Sequence, residues 1–250
     1  DLLHWELLQK FDLPGDDECP DLYPLTADDG RTLWVYSGAH DMYFVGDFDE
    51  NGLYQPIQSV GQLSYNSQSY AAQTYYYEPG KPVIRFAWNR SDIPGAPFNG
   101  SMCTPTEMTL KKHGDRYYLS ALPIKSTENL VVKSDKLDDF TLTHCTHELG
   151  SKTCRISFTV KEGDLTCNLY GLEMKLDKNG LTCGESILPR LKNEPMKVDI
   201  ITDTNSVEIY LNGVANTVIA HVLDETKPTF TIHAEDPVEV QNLTVSELSL

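Results

Sequence analysis

The chain is poor in positive charge: its 250 residues carry 20 Lys and Arg against 37 Asp and Glu, a formal net charge of −17. That shortage excludes sequence-independent nucleic-acid binding, which needs clustered cations to neutralise phosphates. It also argues against anionic membrane surfaces, where each Lys or Arg contributes on the order of 1 kcal/mol. Long apolar runs are missing as well, and none approaches the ~18 residues of a membrane span. Cysteine is sparse, with six residues (Cys19, Cys103, Cys145, Cys154, Cys167, Cys183) and no Cys-x-x-Cys pair, so neither a disulfide-dense scaffold nor a zinc finger is indicated. No Gly-x-Ser-x-Gly elbow, phosphate loop or dinucleotide fingerprint is present, and nucleophilic-serine and nucleotide chemistry drop out. The first residues, Asp1-Leu2-Leu3-His4-Trp5-Glu6, show neither a basic nor an apolar leader region and read as the middle of a longer sequence. A neutral partner and no cofactor are the expectation.

Helical periodicity is also missing, and what stands in its place is β. Short alternating runs are closed by Gly, Asn and Asp every dozen or so residues. Strands are expected at Thr32 to Ser37, Met42 to Asp47, Ala71 to Tyr77, Val83 to Trp88, Glu107 to Lys111 and Arg116 to Ala121. Others are expected at Arg155 to Lys161, Leu165 to Leu172, Met196 to Thr202, Val207 to Leu211 and Val214 to Val222, then at Thr229 to Ala234 and Val238 to Leu248. Asn179-Gly180 and Asn212-Gly213 supply the positive φ that tight hairpins demand. A polar stretch, 126–136, suggests a junction between an irregular, aromatic-rich part (1–125) and an antiparallel part (137–250) of the size of a β-sandwich.

Three groups of residues could carry chemistry. Asp16-Asp17-Glu18-Cys19-Pro20-Asp21 packs four carboxylates into six residues. Crowded like charges raise the pKa of at least one of them, as a general acid requires; a solvated acidic loop is the plainer alternative. Tyr70, Tyr75, Tyr76, Tyr77, Phe86 and Trp88 offer flat rings with polar tips that suit sugar faces, or simply pack a strand pair. Alternation would send Tyr75 and Tyr77 to one face and Tyr76 to the other. His144 and His147 flank Cys145, a weak zinc suggestion, and no metal site is expected. Cys145 and Cys154 could bridge a hairpin, though thiols in strands are more often small buried hydrophobes.

In order along the chain, these pieces resemble glycoside hydrolase family 32, the invertases, levanases, inulinases and other β-fructosidases. Glu18-Cys19-Pro20-Asp21-Leu22-Tyr23 resembles the family's Glu-Cys-Pro-Asp motif, and Tyr43-Phe44-Val45-Gly46-Asp47 the strand that follows it. Tyr70-Ala71-Ala72 is similar to its Asp-x-Tyr-Ala segment, and Ile84-Arg85-Phe86-Ala87-Trp88 to its active-site Trp strand. Residues 93–110 resemble the closing loop and strand of its propeller, and Asn179 to Cys183 and Ser206 to Tyr210 segments of its C-terminal sandwich.

The resemblance implies an all-β chain: about the last half of a five-bladed β-propeller, blades three to five, followed by a β-sandwich. It also implies retaining hydrolysis of sucrose or fructans, in which one carboxyl forms the glycosyl intermediate and another serves as acid, then base. The acid/base role falls on Glu18, with Cys19 tuning it; Asp21, Tyr70 and Trp88 would meet substrate, and Gln68 stands where the family has a sugar-binding Asp. The nucleophile's Asn-Asp-Pro-Asn-Gly motif and the Arg-Asp-Pro motif have no counterpart in these 250 residues. The isolated chain is therefore expected to be inert or nearly so, unless a complementing N-terminal chain or oligomer covers the open propeller edge. A non-catalytic carbohydrate-binding or interaction module is the second reading. Sequons at Asn89, Asn99 and Asn242 are not read as used. Export would suit a polymeric fructan, and a cytoplasmic site would suit sucrose or short oligosaccharides.

Overall fold

In Thr32–Ser37, Leu33 and Val35 point into the core while Trp34 and Tyr36 stay partly in solvent, the period-2 pattern of a half-buried strand. That pattern recurs through the chain. The computed structural model describes all residues except Phe11, Ser67, Tyr76, Tyr77, Pro79, Ile93, Pro94, Ala96, Val222 and Leu250. The expected strand end at Tyr76 and Tyr77 and the end at Val222 thus lie outside the described residues.

The first ten strands form two antiparallel meanders. One holds β1 (Asp21–Thr26), β2 (Thr32–Ser37), β3 (Met42–Phe48) and β4 (Tyr54–Pro56) in chain order, with β5 (Gly61–Gln62) also on β3. The other holds β6 (Ser69–Thr74), β7 (Val83–Asn89), β8 (Ser101–Met102), β9 (Thr106–His113) and β10 (Arg116–Pro123), ordered β10-β9-β7-β6 with β8 on β7. Their inner faces share a core that includes Leu33, Val45, Leu63, Leu110 and Leu119. These meanders are blades of a partial propeller, and where the sequence suggests three blades the described residues build two.

The polar stretch 126–136 is ordered secondary structure. A 3₁₀ turn, Lys125–Leu130, leads into β11 (Val131–Lys136), which pairs with the last strand of the chain. Beyond it run β12 (Phe140–Glu148), β13 (Cys154–Val160), β14 (Leu165–Leu169), β15 (Leu172–Asp177), β16 (Gly180–Cys183) and β17 (Ser186–Pro189). Then come β18 (Met196–Thr202), β19 (Ser206–Leu211), β20 (Ala215–Ala220) and β21 (Thr229–Leu248). The sheet order is β17-β16-β15-β14-β21-β13-β18-β19-β20. It nearly closes on itself, since the Ser186 and Thr217 hydroxyls of its two end strands meet at 2.7 Å.

Two expected strands, Thr229 to Ala234 and Val238 to Leu248, are one continuous β21 that pairs with β14 in its first part and β13 in its second. Conversely, the expected run Leu165 to Leu172 is a hairpin, because Tyr170 and Gly171 take φ of 48° and 89° and reverse the chain. The Asn212-Gly213 turn has the expected positive φ at both residues. At Asn179-Gly180 only Gly180 does, and the Asp177 carboxylate holds the turn by accepting from the Asn179 and Gly180 amides. All six cysteines are free thiols, so no Cys145–Cys154 bridge forms.

The two parts meet through polar groups. Ser64 and Asn216 form a parallel bridge in which the Tyr65 amide donates to the Asn216 carbonyl and the Asn216 amide to the Leu63 carbonyl, at 2.8 and 2.9 Å. The buried Glu208 carboxylate accepts from the Thr104 amide and hydroxyl at 2.8 and 2.9 Å and from the Tyr210 phenol at 2.6 Å.

Candidate active site

Glu18 sits just before β1 on a segment that its neighbours pin. The Ala39 amide donates to the Glu18 carbonyl at 2.9 Å, and the Gln73 side-chain amide to the Cys19 carbonyl at 2.7 Å. Asp21 accepts from the Thr74 amide at 2.5 Å. Cys19 takes a left-handed φ of 49°, which turns the chain between Glu18 and the strand. Cys19 and Asp21 thus serve this backbone, tying β1 to β6.

The Glu18 carboxylate accepts the Tyr70 phenol proton. This hydrogen bond, followed by partial burial, raises the Tyr70 pKa. Tyr70 stands opposite Trp88 in the β6–β7 pair, with ring centroids 6.4 Å apart. A bulge follows at once: Ala71 has φ of 50°, and the register slips between Tyr70 and Gln73, which re-aims the side chains beyond it. Of the tyrosines expected to alternate, only Tyr75 is among the described residues. Tyr75 is exposed and packs on Phe86, and Tyr76 and Tyr77 lie outside the described residues.

Trp88 is 41% exposed beside the exposed Met102, an apolar surface on the far side of the Tyr70 ring contact. Gly100 has no side chain because none fits, since a Cβ there would lie 2.2 Å from the Trp88 indole nitrogen. Gln68 neighbours Arg90, the residue over the Tyr70 ring: its backbone amide donates to Asn66, its carbonyl accepts from the Arg90 amide, and its side-chain oxygen lies 3.4 Å from the Ser91 hydroxyl. Asn89 is buried, its side-chain oxygen occupied by the Ser91 hydroxyl and amide.

Three carboxylates of the acidic cluster have different partners. Asp16 turns into the protein toward His40, Glu18 meets Tyr70, and Asp21 caps Thr74. Each of these three has its own donor, and Asp16, Asp17 and Glu18 still line one cleft. A cleft of about 280 Å³ opens beside Glu18, lined by Asp12, Asp16, Asp17, Tyr36 and Gly38 among others. His40 and Arg90 are the neighbours that sequence reasoning missed; neither belongs to a recognisable motif, and both arrive through turns. His144 faces His233 across the β12–β21 pair with ring centroids 6.2 Å apart, and His147 lies by Asp135. Among the described residues no three His, Cys, Asp or Glu side chains gather as a cation would need.

Two antiparallel meanders thus bring Glu18, Tyr70 and Trp88 to one place. Residues 1–121 match the model of the glycosyl hydrolases family 32 N-terminal domain. The chain is 29% identical over 139 residues to a fructan beta-fructosidase from Streptococcus mutans, covering 45% of this chain and 10% of that protein. It is 26% identical over 197 residues to a levanbiose-producing levanase from Bacillus subtilis, covering 70% of this chain and 37% of the levanase. The exo-inulinase of Aspergillus awamori superposes on all of the chain at a TM-score of 0.77 and 17% identity, and the chain spans 61% of it. The beta-fructofuranosidase of Schwanniomyces occidentalis, complexed with fructosyl-erythritol, matches 93% of the chain at 0.72 and 18% identity, and the chain spans 60% of it. The resemblance to family 32 therefore holds in sequence and in fold, and the chain spans well under half the length of the first two relatives named here.

Proposed function

We propose that this chain is the part of a retaining β-fructosidase that carries the acid/base carboxylate, Glu18, and acts on sucrose or a fructan. The observation that carries the reading is the Glu18 carboxylate held just before a propeller strand by the Tyr70 phenol, whose ring in turn meets the exposed Trp88. In the retaining reaction Glu18 gives its proton to the leaving oxygen and later takes one from the attacking water, while a second carboxylate forms and loses the fructosyl bond. Trp88 and Met102 supply the apolar surface for the sugar ring. The second carboxylate's motif has no counterpart among these 250 residues, so these residues by themselves bind sugar without turning it over. The division into a propeller part (1–125), a connecting stretch (126–136) and a sandwich (137–250) belongs to the same proposal.

The test incubates the purified chain and its Glu18→Gln variant with sucrose, inulin and levan, and titrates both with fructo-oligosaccharide by calorimetry. Expected are binding heat that Trp88→Ala abolishes, and no fructose release. Fructose release that vanishes in Glu18→Gln overturns the inert state and supports the acid/base role. Release that persists in the variant overturns that role, and no heat at millimolar ligand overturns the sugar site.

A further inference from the structure

Asp16 lies two residues before the candidate acid/base, with its carboxylate fully out of solvent. The structure makes room for it deliberately: a Cβ on Gly38 would sit 2.4 Å from the Asp16 carboxyl carbon, so only glycine at position 38 lets the group enter. Gly15, with φ of 83°, turns the chain so that Asp16 can point inward. A buried carboxylate must be hydrogen-bonded. Asp16 accepts the His40 backbone amide at 2.6 Å and faces the His40 ring nitrogen Nδ1 at 3.3 Å. A carboxylate only accepts, so that second contact is a hydrogen bond when Nδ1 carries the proton. The pair fixes both the backbone and the ring of His40, whose side chain is itself about two-fifths exposed.

The His40 ring then meets Tyr70 edge to face, with centroids 4.7 Å apart and planes at 65°. The Arg90 guanidinium lies over the Tyr70 ring at 4.3 Å, and Trp88 stands at 6.4 Å. The phenol held by these three groups donates to Glu18.

We propose that Asp16 and His40 are positioning residues for the candidate acid/base, holding the Tyr70 ring so that its hydroxyl stays on the Glu18 carboxylate. The inference rests on the reading of Glu18 given above and deepens it. Proton donation leaves Glu18 as an anion, and a phenol already in place stabilises that anion without having to reorient. The charged and titratable groups facing the pair are Glu18, Arg90, His40 and the Cys19 thiol around Tyr70, and Asp16 at His40, with Asp12 and Asp17 lining the cleft that Asp16 and Glu18 share.

The experiment follows the Tyr70 phenol in the full chain by ¹³C-tyrosine NMR, with the resonance assigned from Tyr70→Phe. In the native chain it titrates above the ordinary 10. Glu18→Gln returns it toward 10. His40→Ala, at a partly exposed position, does the same while the remaining spectrum stays native, and Asp16→Asn, which keeps an acceptor for His40, retains most of the elevation. A Tyr70 titration unchanged in His40→Ala overturns the positioning role. The titration needs no turnover, so it stands or falls apart from the assays above: loss of the acid/base reading there leaves the Tyr70 result intact, and the reverse.

Discussion

Arg85 and Asp41 form an ion pair inside the propeller part, at 4% and 3% exposure, with the guanidinium Nε donating to the carboxylate at 2.8 Å and a second nitrogen bonding both Asp41 and the Ser69 hydroxyl. Burial works against the charged guanidinium, but the Asp41 charge and hydrogen bonds outweigh it, and its pKa is raised overall. Removing one partner leaves the other charged and unpaired in the interior. Asp41→Ala should therefore cost about 3–5 kcal/mol in urea unfolding. The double replacement Asp41→Asn with Arg85→Met should recover much of that loss, because it buries no charge and Asn tolerates the left-handed φ of 61° at position 41.

Gly100→Ala should disturb the aromatic wall. The position has φ of 71°, and the new Cβ would meet the Trp88 indole nitrogen. Left-handed backbone costs an L-residue about 1–2 kcal/mol. A fall in stability of that order, with a change in tryptophan emission, is expected, and Gly30→Ala serves as the control for φ alone because nothing lies within 4 Å of its Cβ.

Thiol accessibility separates the cysteines. Cys19 and Cys145 are partly exposed, whereas Cys103, Cys154, Cys167 and Cys183 are buried. Burial pushes the Cys103 thiol up to about 12 and Cys183 to about 11, and raises Cys145 less far. The thiolate is the reactive form. Iodoacetamide at pH 8 should therefore label Cys19 first and Cys145 more slowly, and the other four only in denaturant, as read by peptide mass spectrometry.

Acid should loosen the contact between β9 and the loop at Glu194. Burial raises the Glu194 pKa, but hydrogen bonds and charge from Lys111 and His113 outweigh it, so the folded value lies below the usual 4.5. A depressed carboxylate stabilises the fold fully above its unfolded pKa, and that contribution disappears as pH falls through the folded value. The urea midpoint should drop as pH goes from 5 toward 3, and Glu194→Gln should flatten the drop.

The strands that read most clearly in the sequence were those whose own residues carry the pattern: Thr32–Ser37 and Met196–Thr202 run to the expected residues. β1 gave no such signal because Pro24 sits in its middle; it is tolerated there since β1 has only β2 beside it in its sheet. β12 reads Phe-Thr-Leu-Thr-His-Cys-Thr-His-Glu, too polar to announce a strand, and gains its place from pairing with β21. At the candidate site, Glu18, Tyr70 and Trp88 were legible as motif members and do lie together, while the Gln68 side-chain oxygen lies by the Ser91 hydroxyl. His40 and the inward turn of Asp16 were not legible. They depend on Gly38 leaving space 22 residues further on, a relation that no local spacing encodes.

The bridge between Ser64 and Asn216 joins the parts of the chain by main-chain hydrogen bonds at residues that are 0% and 4% exposed. A hinge there would have to strand buried amides each time it opened, at a cost of about 1–3 kcal/mol per group. The seam behaves as a weld. The strands on either side of it then move as one body, and a force applied to one part is carried straight into the other.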